Sequence, residues 1–288
     1  MGAADAVPGV SGGTIAFISG IYEELVDTIS GVKPSLFKVL FKEDFFSFWK
    51  AANGNFVVAL LSGIIISYIT FMRLAKYLLE EHPILIWSFF FGLIVASIYF
   101  VGKQVTKWSV SVILALLIGA SLAYYITLLP AMTTNETRLF LFFAGAIAIC
   151  AMILPGISGS LILIVLGAYK TVSDAIHDVN IQKIIIFAVG AVTGLLSFSH
   201  ALKWLFKHYK NITLALLTGF IFGSLNKVWP WKETLTWFTN AKGIKEPLLQ
   251  QSISPFAFKD NQLVLAVILM VVGFLTIFIL ERLGTKKQ

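Results

Sequence analysis

Apolar positions in this chain neither alternate nor recur on one helical face; they run on. Phe56–Met72, Ile84–Val101, Ser109–Pro130, Leu139–Tyr169, Ile184–Ser199 and Asn261–Leu280 hold no Asp, Glu, Lys or Arg. Most of these runs are 16–22 residues long, close to the ~20 that a helix needs to cross ~30 Å of hydrocarbon. Continuous apolar character predicts helices, because a membrane barrel alternates from residue to residue. The expected crossings are about 56–74, 84–101, 109–129, 181–203, 211–228 and 261–281.

One run has the wrong length. Leu139–Tyr169 is 31 residues, which as a single helix would extend ~46 Å, too far for one crossing. Two full crossings would need ~40 residues and a turn. Pro155-Gly156 divides the run into two unequal arms. The economical solution is a re-entrant hairpin, two half-helices that meet inside the membrane and return to the side they came from. Irregular backbone at that depth requires surrounding protein or a watery cavity.

The motif at the break occurs twice. PGVSGG at 8–13 is nearly repeated as PGISGS at 155–160, and the match continues through Gly20 and Gly167 to Tyr22 and Tyr169. Asp27 and Ile29 then fall on Asp174 and Ile176. At a second offset Gly63, Lys76 and Gly92 fall on Gly190, Lys203 and Gly219, and Arg73 on His200. A fixed internal period indicates duplicated units. Each half would hold one hairpin and three crossings; three is odd, so the second half is expected to be inverted, as in many secondary transporters. The expected fold is therefore an all-α polytopic membrane protein of two inverted repeats, residues 1–130 and 131–288. The first carries an insertion, about 33–53, with Leu36, Phe37, Leu40, Phe41, Phe45, Phe48 and Trp49 at helical spacing among lysines. It reads as an amphipathic helix lying in the interface.

Composition agrees. Of 288 residues 58% are hydrophobic and 13% charged, where soluble domains carry about 25% charge. The mean hydropathy is +0.87. The net charge of +7 suits anionic headgroups and equally the ordinary excess of Lys and Arg at helix ends. The single Cys150 excludes an internal disulfide and a Cys-based metal site. The first residues lack a basic segment and include Asp5, so no cleavable signal peptide is expected. Nothing reads as a nucleic-acid module, and no metal or cofactor is expected.

Proline fits the first turn of a helix, glycine allows close approach, and hydroxyls donate hydrogen bonds. A helix start adds unpaired N–H groups and the positive end of the dipole. Ser11, Gly12, Gly13, Thr14, Ser158, Gly159 and Ser160 therefore form a candidate anion site, phosphate above all. The competing reading is close helix packing through small residues. Arg73, Arg138 and His200 are candidate phosphate partners, or cations snorkelling at span ends. Asp5 and Glu23 are candidates for proton coupling, or interface residues.

The stretch MGAADAVPGVSGGTIA at 1–16, followed by Gly20-Ile21-Tyr22-Glu23 and, in the second half, by LPGISGS at 154–160, resembles the bacterial and archaeal polyprenyl-phosphate transporter family. The chain departs from that pattern in carrying little before Asp5. The resemblance implies a flippase that returns undecaprenyl phosphate between leaflets of the plasma membrane for cell-envelope synthesis. It also implies that Asp5, Ser11, Gly12, Gly13, Thr14, Glu23, Ser158, Gly159 and Ser160 line the site. Polyprenyl phosphate and membrane lipids are then the expected partners, and a homo-oligomer stays open. Two alternatives are a membrane prenyl-pyrophosphate phosphatase and an inorganic-anion channel or transporter. The first would need a nucleophile or base with an Arg clamp and a metal-binding carboxylate, and no such cluster stands beside either motif. A non-transporting scaffold would leave the duplicated motif without a purpose.

Overall fold

The computed structural model describes residues 1–5, 11–33, 35–36, 38–39, 44–129, 137–239, 245–258 and 261–285. The first elements are short: α1 (Gly2–Asp5), α2 (Gly12–Ile18), α3 (Tyr22–Ser30) and α4 (Phe45–Ala51). Long helices follow as α5 (Gly54–Glu81), α6 (Pro83–Lys103) and α7 (Val110–Leu128). The pattern then returns with α8 (Arg138–Ile153), α9 (Gly159–Val165), α10 (Tyr169–His177) and α11 (Ile181–Gly223). After α12 (Leu225–Val228) come strands β1 (Lys232–Thr239) and β2 (Lys245–Ser252), a 3₁₀ turn (Pro255–Ala257) and α13 (Leu263–Thr285).

Among the described residues, α5, α6, α7 and the α11–α12 stretch are long and apolar enough to cross a membrane; α8 and α13 are further apolar helices. Their outer faces are covered with exposed apolar side chains, among them Ile65, Ile66 and Ile69 on α5, Val110 and Ile118 on α7, and Val264 on α13. That surface requires lipid, and the chain is a multi-pass helical membrane protein. At 43 residues, α11 would run ~65 Å, about two crossings. Its backbone leaves the helix at Tyr209 (φ −136°, ψ 46°), among Lys203, Lys207, His208 and Lys210. His82, between α5 and α6, has nearly the same conformation (φ −135°, ψ 52°). His82 and Tyr209 stand at the same offset as Lys76 and Lys203.

The local structure of the motifs is duplicated too. α2 and α9 each have seven residues, and α3 and α10 each have nine. Their N-cap serines match, Ser11 at φ −106°, ψ 126° and Ser158 at φ −96°, ψ 133°. Gly20 and Gly167, at φ +75° and +69°, make the left-handed turn out of each short helix, which glycine alone adopts without strain. α9 and α10 meet at 109°.

Helices interlock through glycines that let two backbones touch. A Cβ on Gly92 would collide with the Met270 carbonyl, and one on Gly273 with that of Phe89. Gly219 meets Leu116, and Gly119 meets Leu216, in the same way. α6 is thus locked to α13, and the second half of α11 to α7. Small residues at such crossings are what membrane helices use in place of hydrophobic collapse.

One feature adds to the helical fold that the sequence predicts: between α12 and α13 the chain forms an antiparallel hairpin pairing Lys232 with Ser252 and Trp237 with Pro247. Trp229 and Trp231 anchor it by donating their indole N–H groups to the carbonyls of Ile253 and Asn261, both at 2.9 Å. Of the expected interfacial helix, the described parts are helical residues 35–36 and 38–39 and α4, begun by Asp44, whose carboxylate accepts from the Ser47 N–H at 2.9 Å. Phe37, Leu40 and Phe41 lie outside the described residues.

Candidate functional site

α8 stops where its sequence must. Leu154 is extended (φ −64°, ψ 129°), a conformation favoured in a residue before proline. Pro155 has no N–H to continue the ladder. Gly156 takes φ +87°, and a Cβ there would lie 2.8 Å from the Phe220 carbonyl and 2.9 Å from Ser224 Oγ. The break is therefore pressed against the second half of α11. Two residues later Ser158 caps α9.

The start of α2 is fitted into this break. Ser11 Oγ donates to the Leu154 carbonyl at 3.2 Å. The Gly156 N–H donates to Thr14 Oγ1 at 2.9 Å. A Cβ on Gly13 would lie 2.6 Å from the Ile153 carbonyl. Ser11 and Thr14 are buried. The two motif copies, far apart in sequence, touch directly, and side chains of the first satisfy backbone groups left by the break in the second.

Beside this junction is a cavity of about 260 Å³. Ser11, Ser158, Gly159 and Ser160 form its polar side; Met152, Leu163 and Phe187 are among its apolar walls. The hydroxyls of Ser158 and Ser160 lie 2.8 Å apart. All residues lining the cavity are uncharged. The volume is just below the ~300–1,000 Å³ of small-molecule pockets, enough for a compact polar group and too little for a long hydrocarbon chain. Met152 is 44% exposed, so the cavity reaches the lipid-facing surface.

The other sequence candidates stand elsewhere. Gly12 and Gly13 are buried in the first turn of α2, with Gly13 against the end of α8. Thr14 is engaged with Gly156. Arg73, Arg138 and His200 are exposed and do not line the cavity; His200 Nδ1 instead lies 2.6 Å from the Leu196 carbonyl on its own helix. These positions follow from length: all three sit in turns that carry the helix past its apolar run. Glu23 is ion-paired with Lys210 at 2.7 Å. Asp5 ends α1; its side chain, with Pro8 and Gly9, lies outside the described residues.

Sequence reasoning missed the lysines that hold α3. Asp27 pairs with Lys203 at 3.1 Å, while Asn53 Nδ2 donates to Glu24 and Thr28, each at 3.0 Å. The only warning was that Lys203 recurs as Lys76. No group of three or more His, Cys, Asp or Glu stands together among the described residues.

Residues 1–246 match the undecaprenyl phosphate translocase-like family. The chain is 46% identical over 291 residues to the polyprenyl-phosphate transporter of Vibrio cholerae serotype O1, covering 99% of this chain and 94% of that protein. It is 31% identical over 262 residues to the polyprenyl-phosphate transporter of Staphylococcus aureus, covering 83% and 87%. No solved structure matches it. A match of this extent has one meaning: the chain belongs to the undecaprenyl phosphate translocase-like family.

Proposed function

We propose that this chain is a polyprenyl-phosphate transporter. It moves the phosphate headgroup of a polyprenyl lipid, undecaprenyl phosphate foremost, between leaflets of a bacterial plasma membrane, returning the carrier for cell-envelope synthesis. Two relatives bear the name polyprenyl-phosphate transporter. The observation that carries the reading to particular residues is the cavity lined by hydroxyls from both motif copies. On binding, the Ser11 hydroxyl leaves the Leu154 carbonyl and the Ser158–Ser160 bond opens, so that the three hydroxyls donate to the phosphate oxygens, while Gly159 lets the headgroup approach the backbone. The tail leaves past Met152 into lipid.

Residues 1–130 and 131–288 act as two inverted repeats with re-entrant hairpins. Asn53, which begins α5, is bonded to α3, and α3 is ion-paired to Lys203 and Lys210 at the break of α11. α5 therefore begins at the end of the molecule where the first half of α11 finishes, and these equivalent helices run in opposite directions. The far end gathers Thr127, Asn226 and Ser252, bonded in series. Equivalent halves running oppositely around a central site are the construction that permits alternating access.

The test is leaflet-resolved flipping of polyprenyl phosphate in proteoliposomes, with Ser11→Ala and Ser158→Ala singly and together. A hydrogen bond to a charged group contributes about 1.5–3 kcal/mol, so the double variant is expected to lose at least about tenfold in apparent affinity. Unchanged flipping in the double variant overturns the assignment. Release of inorganic phosphate from the pyrophosphate lipid would instead favour a phosphatase, and passage of inorganic phosphate without lipid an anion transporter.

A further inference from the structure

The duplication preserves both partners of one ion pair. Asp27 on α3 corresponds to Asp174 on α10, and Lys203 on α11 corresponds to Lys76 on α5. Each lysine stands six residues before one of the equivalent breaks, Tyr209 and His82. Only one of the two possible pairs is made. Asp27 and Lys203 are 3.1 Å apart. Lys76 turns instead to Glu80 on its own helix, at 3.7 Å, and no ion pair to Asp174 is found among the described residues.

The packing around the pairs differs in the same sense. Tyr22 is 2% exposed, its ring 4.6 Å from that of Phe17 and 6.0 Å from that of Phe206, centroid to centroid, so α3 is sealed onto the end of the first half of α11. Its counterpart Tyr169 is half-exposed. α10 rests against the beginning of α11, where Thr171 and Ala175 share a small cavity with Lys183 and Ile184. One end of the molecule is closed over its hairpin by Asp27–Lys203, and among the described residues the equivalent Asp174–Lys76 pair at the other end is not formed.

We propose that Asp174 and Lys76 are the second of two alternating ion pairs: when the halves rock, Asp27 releases Lys203 and Asp174 captures Lys76, closing the opposite end. This rests on the inverted-repeat transporter reading above. Both members of the formed pair are exposed, with side chains 50% and 59% accessible, and exposed pairs are weak, as suits a contact broken in every cycle. Glu23–Lys210 reinforces the closed end. Its counterparts are Lys170 and Pro83, which cannot pair, so the two closures differ in strength and the state seen here is the resting one.

Cysteine cross-linking in proteoliposomes tests this, in a Cys150→Ser background. Asp27→Cys with Lys203→Cys is expected to link rapidly. Asp174→Cys with Lys76→Cys is expected to link slowly, and about two- to fivefold faster once Asp27→Asn removes the first pair, the range set by the strength of an exposed pair. A rate indifferent to Asp27→Asn, or no link at all, overturns the proposal. Charge exchange gives a second readout: Asp174→Lys and Lys76→Asp singly slow flipping, and together restore it. Full flipping in both single variants also overturns it. The linking rates do not depend on which lipid is carried. Linking as expected without polyprenyl phosphate flipping would sink the substrate and leave the paired latch standing.

Discussion

Thr14→Val isolates the bond that joins the two motif copies. Thr14 Oγ1 accepts the Gly156 N–H at 2.9 Å in a buried site. Gly156 stands at the left-handed break between α8 and α9, so its N–H has no helix ladder to join. Valine keeps the branched shape, and packing around a residue 1% exposed is retained while the acceptor is lost. An N–H left unpaired in such a place costs about 1–3 kcal/mol, and hydrocarbon offers it no substitute partner. About 2 kcal/mol is roughly thirtyfold in the equilibrium between joined and separated motifs. It lowers the melting temperature by ~4–8 °C at the usual sensitivity of a large domain. Thr14→Ser keeps the oxygen and removes one methyl, worth about 0.8 kcal/mol. Thermal unfolding of the purified protein in detergent should therefore rank wild type above Thr14→Ser and Thr14→Ser above Thr14→Val. If valine melts with the wild type while serine falls, the methyl holds the junction and the hydrogen bond does not.

Gly92→Val drives a side chain into the Met270 backbone and should abolish recovery of folded protein on size-exclusion chromatography. Gly63→Ala, where a Cβ meets nothing within 4 Å, should be neutral or raise the melting temperature through the ~1 kcal/mol difference in helix propensity. Lys232, half-buried with its ammonium 3.8 Å above the Trp87 ring, is held well below the ordinary 10.5 by desolvation and then by the charge of Lys227. The unfolded chain binds that proton more tightly, so stability rises as pH climbs from the lowered value towards 10.5; Lys227→Gln should flatten the rise in a melting-temperature profile. Because the cavity lining is uncharged, a singly charged phosphate enters at less cost than a doubly charged one. Flipping should then increase as pH falls through about 6, the second ionisation of a phosphate monoester, and a rate flat between pH 5 and 8 would count against headgroup transfer through this cavity.

The crossings were legible because uncharged runs of membrane length admit few other structures, and the duplicated motif is matched locally by two seven-residue helices with serine N-caps. Helix ends were not legible. α5 continues to Glu81, past the expected end near 74, because exposed polar residues, helped by the Lys76–Glu80 contact, let a helix extend beyond hydrocarbon. The first half of α11 does the same up to Tyr209. Thr14 and Gly13 were read as ligand groups, but their contacts with Gly156 and Ile153 use them in joining the copies; residue type alone does not separate a hydroxyl that meets a ligand from one that meets a backbone amide. The β-hairpin was not legible, because Lys232–Thr239 and Lys245–Ser252 are short, largely polar strands without sustained apolar alternation. Glu23 and Asp27 gained their lysine partners through contacts across most of the chain, which no local pattern encodes.

The gap beside Met152 has a consequence for selectivity. If only the head enters and the hydrocarbon stays outside, the number of isoprene units is invisible to the protein. Carriers of quite different lengths should then compete on equal terms, and discrimination should fall on what is attached to the terminal oxygen.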